Sequence, residues 1–320
     1  MNAVAITFSR CTAIESDYYM IASKPDALDT SEEFTRLFYF DAQAPNTWRH
    51  TDMPYFTAVD MCVVHRALGS QRRYAVLSRQ GQVLYYWPGD QLAEKIEGAG
   101  LAEPEGPVYG YLNALKEIDG SLYVCGGGGQ IYRRNGRGWS DMAGTLRKPA
   151  PLLKADLALH SPIVGDDLSD IDGYRADDLY VAGGQGIYHY GGHDWIACET
   201  STDETLMAVM CTPGGVVWAC GFNGAVMRGN AAEGFRDVSH YDDNMLLTNM
   251  AFFGRHLYFS SNQGLFRLDP QAPKSRLEKI NMVPECEDVS VVGDVLLCVG
   301  PKSIHILQSG DWRELVHPDN

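Results

Sequence analysis

The residues of this chain that could do chemistry are carboxylates, histidines and cysteines, and their spacing decides which chemistry is open. His189 and His193 have the H-x3-H spacing that brings two metal ligands together on a helix. Here they fall on an alternating apolar segment and the glycine turn after it, where side chains at that spacing do not converge, so both read as structural or surface histidines. The run Asp166-Asp-Leu-Ser-Asp-Ile-Asp-Gly173 hints at a calcium loop. With Asp170 and Asp172 as the third and fifth positions, however, Leu168 occupies the first and Leu179 the twelfth, so the pattern fails. The run Gly126 to Gly129 lies between two strand-like segments with no helix start to present its amides, so it is not a phosphate cradle. No G-x-S-x-G, H-E-x-x-H or cysteine–histidine constellation occurs, and neither a cofactor nor a metal is expected. What remains open is a site assembled from residues of separate repeats. Asp60, Asp170, Asp172 and Asp288 lie on segments that read as innermost strands, and they are the candidates for a hydrolase or lyase at the mouth of a central channel.

The elements that would position such residues recur along the chain. Leu122 to Trp139 and Leu179 to Trp195 share one grammar: an apolar strand, a glycine turn, a second apolar strand, a polar glycine turn, then an aromatic that opens a third strand. Self-similarity at about forty residues marks a propeller or solenoid. Weaker copies run over 73–87, 216–235, 256–268 and 294–312, and the loosest over 17–48. A further short strand precedes each copy, at Val4 to Phe8, Thr57 to Val64, Leu112 to Glu117, Leu168 to Asp172, Leu206 to Cys211, Leu246 to Phe252 and Asp288 to Val292. Four strands in each of seven units predict an all-β, seven-bladed β-propeller of antiparallel blades, forming one domain over residues 1–320. Six blades are the alternative if the first unit is something else. Each terminal blade is built from one end of the chain, which predicts no exchanged closing strand and closure by packing alone. Asp194-Trp195 and Asp311-Trp312 open fourth strands and read as blade packing.

Composition narrows the class. No stretch approaches the roughly 20 apolar residues of a membrane span, and the N-terminus does not read as a secretory signal. Cys125, Cys220 and Cys298 fall at equivalent second-strand positions of different repeats, which suits small core fillers rather than disulfide partners and a reducing, cytoplasmic setting. No membrane partner is expected, and a formal charge of −15 disfavours nucleic acid; it favours a soluble monomer and a basic protein partner.

Antiparallel order places second-to-third loops and blade-to-blade linkers at one face. The long segments, 23–33, 98–107 and 143–166, all belong to that set, and a short helix is predicted over Leu152 to Leu159. The same loops gather Asp29, Glu32, Glu33, Glu103, Glu105, Asp166, Asp167, Glu199, Asp203, Asp242, Asp243, Glu285 and Glu287, with Arg147, Lys148 and Lys154 as basic exceptions. These residues, Lys154 aside, form the expected partner-binding set.

The segments Val124 to Trp139 and Val181 to Trp195 resemble bacterial propellers whose blades read V-x-G-x-x-G-x-I-x-R-x-x-G-x-x-W, related to photosystem-assembly-factor-like and BNR-type propellers. The resemblance implies architecture. A BNR-type enzyme would show S-x-D-x-G-x-x-W turns; the turns before Trp139 and Trp195 lack the Ser and Asp, so sialidase-like hydrolysis is not implied. The expected function is a non-enzymatic binding platform whose acidic, loop-rich face meets a basic partner, with an immunity protein that neutralises a toxin as the concrete version. A channel-mouth hydrolase or lyase is the alternative.

Overall fold

The computed structural model describes residues 4–101, 109–136, 138–147, 167–239, 242, 244–272 and 276–320. It is a seven-bladed β-propeller of four-stranded antiparallel sheets, each made from strands consecutive in sequence. By internal contacts the chain divides into two compact units, residues 1–58 with 240–320, and residues 59–239.

The unit 59–239 holds the second to fifth sheets. Their innermost strands are Ala58–Val64, Leu112–Ile118, Leu168–Arg175 and Leu206–Thr212. Hairpin chemistry sets the register. Asp119 and Gly120 both take positive φ (47° and 73°) between Leu112–Ile118 and Ser121–Gly126, as a two-residue turn matched to strand twist requires. Second strands such as Ser121–Gly126 are buried along their whole length, because neighbouring sheets cover both faces. Fourth strands such as Asp90–Lys95 are mostly exposed. The core lies between sheets. Val64, Tyr85, Leu115 and Val124 fill one layer, Cys125, Ile171, Val181 and Trp195 the next, and Val209, Ala219 and Phe235 the third. Trp195 opens its strand as expected and donates its indole N–H to the Met142 carbonyl at 2.9 Å.

The unit 1–58 with 240–320 holds the first, sixth and seventh sheets. Its innermost strands are Ile6–Glu15, Leu247–Phe253 and Asp288–Val292. The first was expected to end at Phe8; it runs seven residues further through a bulge between Phe8 and Arg10. Among the described residues the first and seventh sheets are each built from consecutive strands, but closure between them is more than packing. The Cys11 amide donates to Asp288 Oδ2 at 2.8 Å, the Ala13 amide to Ser290 Oγ at 3.0 Å and the Phe8 amide to the Pro301 carbonyl at 2.9 Å. The tail beyond the last strand, Asp311–Glu314, adds a latch. His317 is buried with its ring against Phe8, Phe38 and Trp48 at centroid distances of 5.4, 4.3 and 4.3 Å. The Asp319 amide donates to His317 Nδ1 at 3.1 Å, and the Val4 amide donates to Asp319 Oδ1 at 3.2 Å.

All eight cysteines are free, with Cys125, Cys220 and Cys298 buried and their thiol pKa values pushed up by burial. No helix among the described residues is long and apolar enough to cross a membrane.

Candidate partner-binding site

The innermost carboxylates repeat a single device. Asp60 accepts the Met61 amide at Oδ1 and the Leu115 amide of the next sheet at Oδ2, both at 2.7 Å. Asp170 does the same for Ile171 (2.8 Å) and Val209 (2.9 Å). Asp172 accepts the Cys211 amide at 2.8 Å. In the other unit Asn249 accepts its own neighbour's amide from Met250 and donates Nδ2 to Asp288 Oδ1 at 2.6 Å, while Asp288 holds Cys11. An innermost strand has one edge with no strand beside it, and its N–H groups need acceptors. The acid of the preceding sheet supplies them. The four candidates for channel chemistry are therefore clamps between adjacent innermost strands, with much of their acceptor capacity committed to backbone.

Lys116 sits among Asp60, Asp170 and Asp172. Burial alone would lower its pKa, but the three carboxylates overcome that and hold it above the usual lysine range. Burial pushes Asp170 up to about 6 against the opposing pull of Lys116 and the Val209 amide. Glu117, which sequence reasoning passed over, accepts the amides of His65, Arg66 and Ala67 at 2.6–2.7 Å and so fixes the loop after the second sheet's first strand. His189 pairs with Asp178 at 2.9 Å. Among the described residues no group of three His, Cys, Asp or Glu side chains could hold a metal ion.

Most of the described loop carboxylates are exposed, and several are tied only to their own loop. In the unit 1–58 with 240–320, Asp29 is exposed and Glu33 half-buried on a loop tied down by Lys24, whose ammonium donates to the carbonyls of Asp29 (2.6 Å), Thr30 (3.2 Å) and Glu32 (2.5 Å). The Ser31 hydroxyl and amide bind Asp29 Oδ1 and hold its pKa below the usual carboxylate range. Glu32 Oε1 accepts the Asp29 amide at 3.2 Å. The loop meets the linker after the first sheet, where the Tyr55 amide donates to the Glu33 carbonyl at 2.8 Å. Asp242 caps Asn244 at 3.1 Å; Glu285 is exposed, and Glu287 is half-buried with its carbonyl accepting Thr248 Oγ1 at 3.1 Å.

In the unit 59–239, exposed Asp167 accepts the Gly128 amide at Oδ1 (3.2 Å) and the Gly184 amide at its carbonyl (3.1 Å), so one linker residue ties two second-to-third turns. The glycines there are needed. A Cβ on Gly129, whose φ is +71°, would lie 2.0 Å from the Leu146 carbonyl oxygen. Gly127 to Gly129 form a single 3-10 turn rather than a plain strand connection. Glu199 and Asp203 are exposed on the linker between the fourth and fifth sheets; beside them Glu204, missed in the sequence, accepts both contacts from Asn223 Nδ2 at 3.0 Å.

Arg147 is not the free basic exception that its sequence neighbours suggest. Its guanidinium lies 4.4 Å from the Tyr109 ring centroid and 5.2 Å from that of Tyr132, and Nη2 pairs with Asp141 at 2.5 Å. Glu103, Glu105, Lys148, Asp166 and Asp243, with Lys154 and the helix expected over 152–159, lie outside the described residues.

No protein-family model matches the chain. It is 27% identical over 274 residues to the Immune protein Tsi7 of Pseudomonas aeruginosa, which covers 82% of this chain and 81% of Tsi7. Among solved structures it is similar to the WD40 β-propeller domain of Doa1, with a TM-score of 0.68 and 9% identity over 97% of this chain and 95% of that one. Virginiamycin B lyase from Staphylococcus aureus gives 0.63 and 10% over 92% of each chain. YCF48 bound to D1 peptide gives 0.61 and 14% over 97% and 95%. At such identities these likenesses show the fold alone, and they agree with the propeller resemblance at the level of architecture.

Proposed function

We propose that this chain is a non-enzymatic, protein-binding propeller that acts as an immunity protein, neutralising a bacterial toxin through its acidic loops. The observation that carries this reading is the 27% identity to Immune protein Tsi7 across 82% of the chain. The chemistry fits. Nuclease-type toxins need a positive cleft for their substrate, and a protein of charge −15 is drawn to such a cleft before contact. Asp29, Glu32, Glu33, Asp167, Glu199 and Asp203, with Glu103, Glu105, Lys148, Asp166, Asp242, Asp243, Glu285 and Glu287 from the same loops, supply the attraction. On this reading residues 1–320 act as one monomeric domain in the cytoplasm, where the toxin would do harm. The inner carboxylates, held by backbone amides, favour a scaffold over a channel-mouth lyase.

The test is co-expression with the toxin gene that neighbours the propeller gene. Growth should be restored by the propeller and lost again on reversing Glu32, Glu33, Glu103 and Glu105 to lysine. Continued killing in the presence of soluble propeller would overturn the reading.

A further inference from the structure

The second and third sheets leave a cleft of about 390 Å³, lined by Glu97, Tyr109, Tyr132, Trp139, Asp141 and Arg147 among others. That volume is within the range of sites that hold a small ligand or a single side chain, about 300–1,000 Å³. Its walls are fixed before anything binds. The Trp139 indole N–H donates to Glu94 Oε2 at 2.9 Å. Glu94 is itself locked by Arg134 Nε (2.8 Å) and Nη2 (2.6 Å) and by the Tyr85 hydroxyl (3.0 Å), so the indole cannot swing without breaking a bond to a sheltered ion pair. On the other side Arg147 is held by Asp141, by the Tyr132 hydroxyl at 3.3 Å and by the faces of Tyr109 and Tyr132.

Among the described lining residues the charges leave one sign over. Asp141 and Arg147 cancel as a pair. Glu97, exposed at the rim, has no cationic partner among the described residues. A preformed aromatic cleft with one uncompensated carboxylate selects a flat, weakly hydrated cation, since such a cation gains from ring faces and carboxylate together. The chain already shows the wall chemistry at work, with its own guanidinium stacked on two of the tyrosines.

We propose that this cleft receives an arginine side chain of the partner, the guanidinium lying on Trp139 and donating to Glu97. The proposal rests on the reading of the partner as a basic protein and names the contact that would anchor it. Arginine is among the residues most enriched at interface hot spots, and such anchors sit in pockets that need no rearrangement. The acidic loops would then supply encounter, and the cleft would supply residence time.

The experiment uses the full chain and a small probe. With 5-fluorotryptophan incorporated, the six tryptophans give separate fluorine resonances, and Trp139→Phe identifies the one that matters. N-acetyl-arginine amide should move the Trp139 resonance saturably, while the uncharged isostere N-acetyl-citrulline amide should bind at least about fivefold more weakly. Glu97→Gln, an exposed change that leaves the sheets intact, should weaken the arginine amide by a similar factor. Equal binding of both amides, a silent Trp139 resonance, or unaltered affinity in Glu97→Gln overturns the proposal. Because no toxin takes part, a failure here is separate from a failure of growth rescue, which tests the immunity reading itself.

Discussion

His317 provides a pH test of the tail latch. Burial among Phe8, Phe38 and Trp48 lowers its pKa from 6.5 to about 4, Asp319 opposing and His50 assisting. Geometry gives a further reason. Nδ1, the atom that would take the second proton, already accepts the Asp319 amide, and Nε2 is buried with no acceptor. A base whose pKa falls on folding stabilises the fold fully above its unfolded value. That contribution fades as pH drops from 6.5 toward 4 and changes no further below. With these limits linkage gives about 2 kcal/mol lost by pH 5, and solvent screening at a chain end discounts this to about 1 kcal/mol. The perturbation is His317→Phe, which keeps an aromatic ring and removes the titrating nitrogens. Denaturant midpoints of both proteins should be compared at pH 7.5, 6.5, 5.5 and 5.0. The variant is expected to carry a constant offset from repacking and to lose about 1 kcal/mol less than the parent across that range. A histidine carbon–proton shift titration reads the same quantity directly, with the resonance missing from the variant titrating near 4. Parallel stability curves, or a His317 resonance titrating between 6 and 7, would refute the latch reasoning.

Other outcomes follow from the same contacts. Asp60→Ala strands the Met61 and Leu115 amides and should cost about 2–4 kcal/mol in urea unfolding, whereas a surface change such as Asp203→Ala should stay within about 0.5 kcal/mol. Asp170→Asn should behave differently with pH: its raised pKa means the charged form is penalised in the fold, so the parent loses stability as pH rises from about 4 to about 6 and the variant does not lose it there. Gly129→Ala forces a side chain into positive φ against the Leu146 carbonyl and should lower the melting temperature by several degrees, while Gly136→Ala, with open space around it, should not. Toxin association should slow by at least about tenfold between 50 and 500 mM salt, with a smaller change in dissociation rate; a salt-independent rate removes the steering role of the loops.

Much of the architecture was legible because each blade repeats the same local signals. Val124 and Val181 open the same glycine turn, and Trp139 and Trp195 open the same outer strand, so the repeat could be read without tertiary information. The first inner strand was cut short at Phe8 because Ser9 and Arg10 interrupt the apolar alternation; the structure absorbs them in a bulge. The tail latch was silent, since one histidine after the last strand has no periodicity to betray it. The cleft was hidden for a different reason. Arg147, Tyr109 and Trp139 lie on three separate segments, and only the close approach of two sheets brings them together. Glu204 and Glu117 were missed because a lone acid beside a strand looks alike whether it faces water or caps a loop.

That ambiguity governs the whole question of function. Asp60, Asp170, Asp172 and Asp288 are the acids a sequence reader would choose for catalysis, being isolated carboxylates on apolar strands. What decides their role is the chain on the other side. Leu115, Val209, Cys211 and Cys11 present amides on innermost strands that would otherwise be left without a partner, and in each case an acid one sheet back accepts the bond. A carboxylate holding such an amide cannot leave it for a substrate without stranding a donor, at about 1–3 kcal/mol each. Catalysis would have to carry that cost at every turnover. Loop acids such as Glu199 and Asp203 are exposed and their carboxylates hold no backbone amide of a neighbouring strand among the described residues, so their attraction for a basic surface is available at no structural cost. The division of the acids into held and free therefore favours a scaffold that binds over one that reacts, and it makes the loops, with the arginine cleft beside two of them, the place where specificity for a partner should reside.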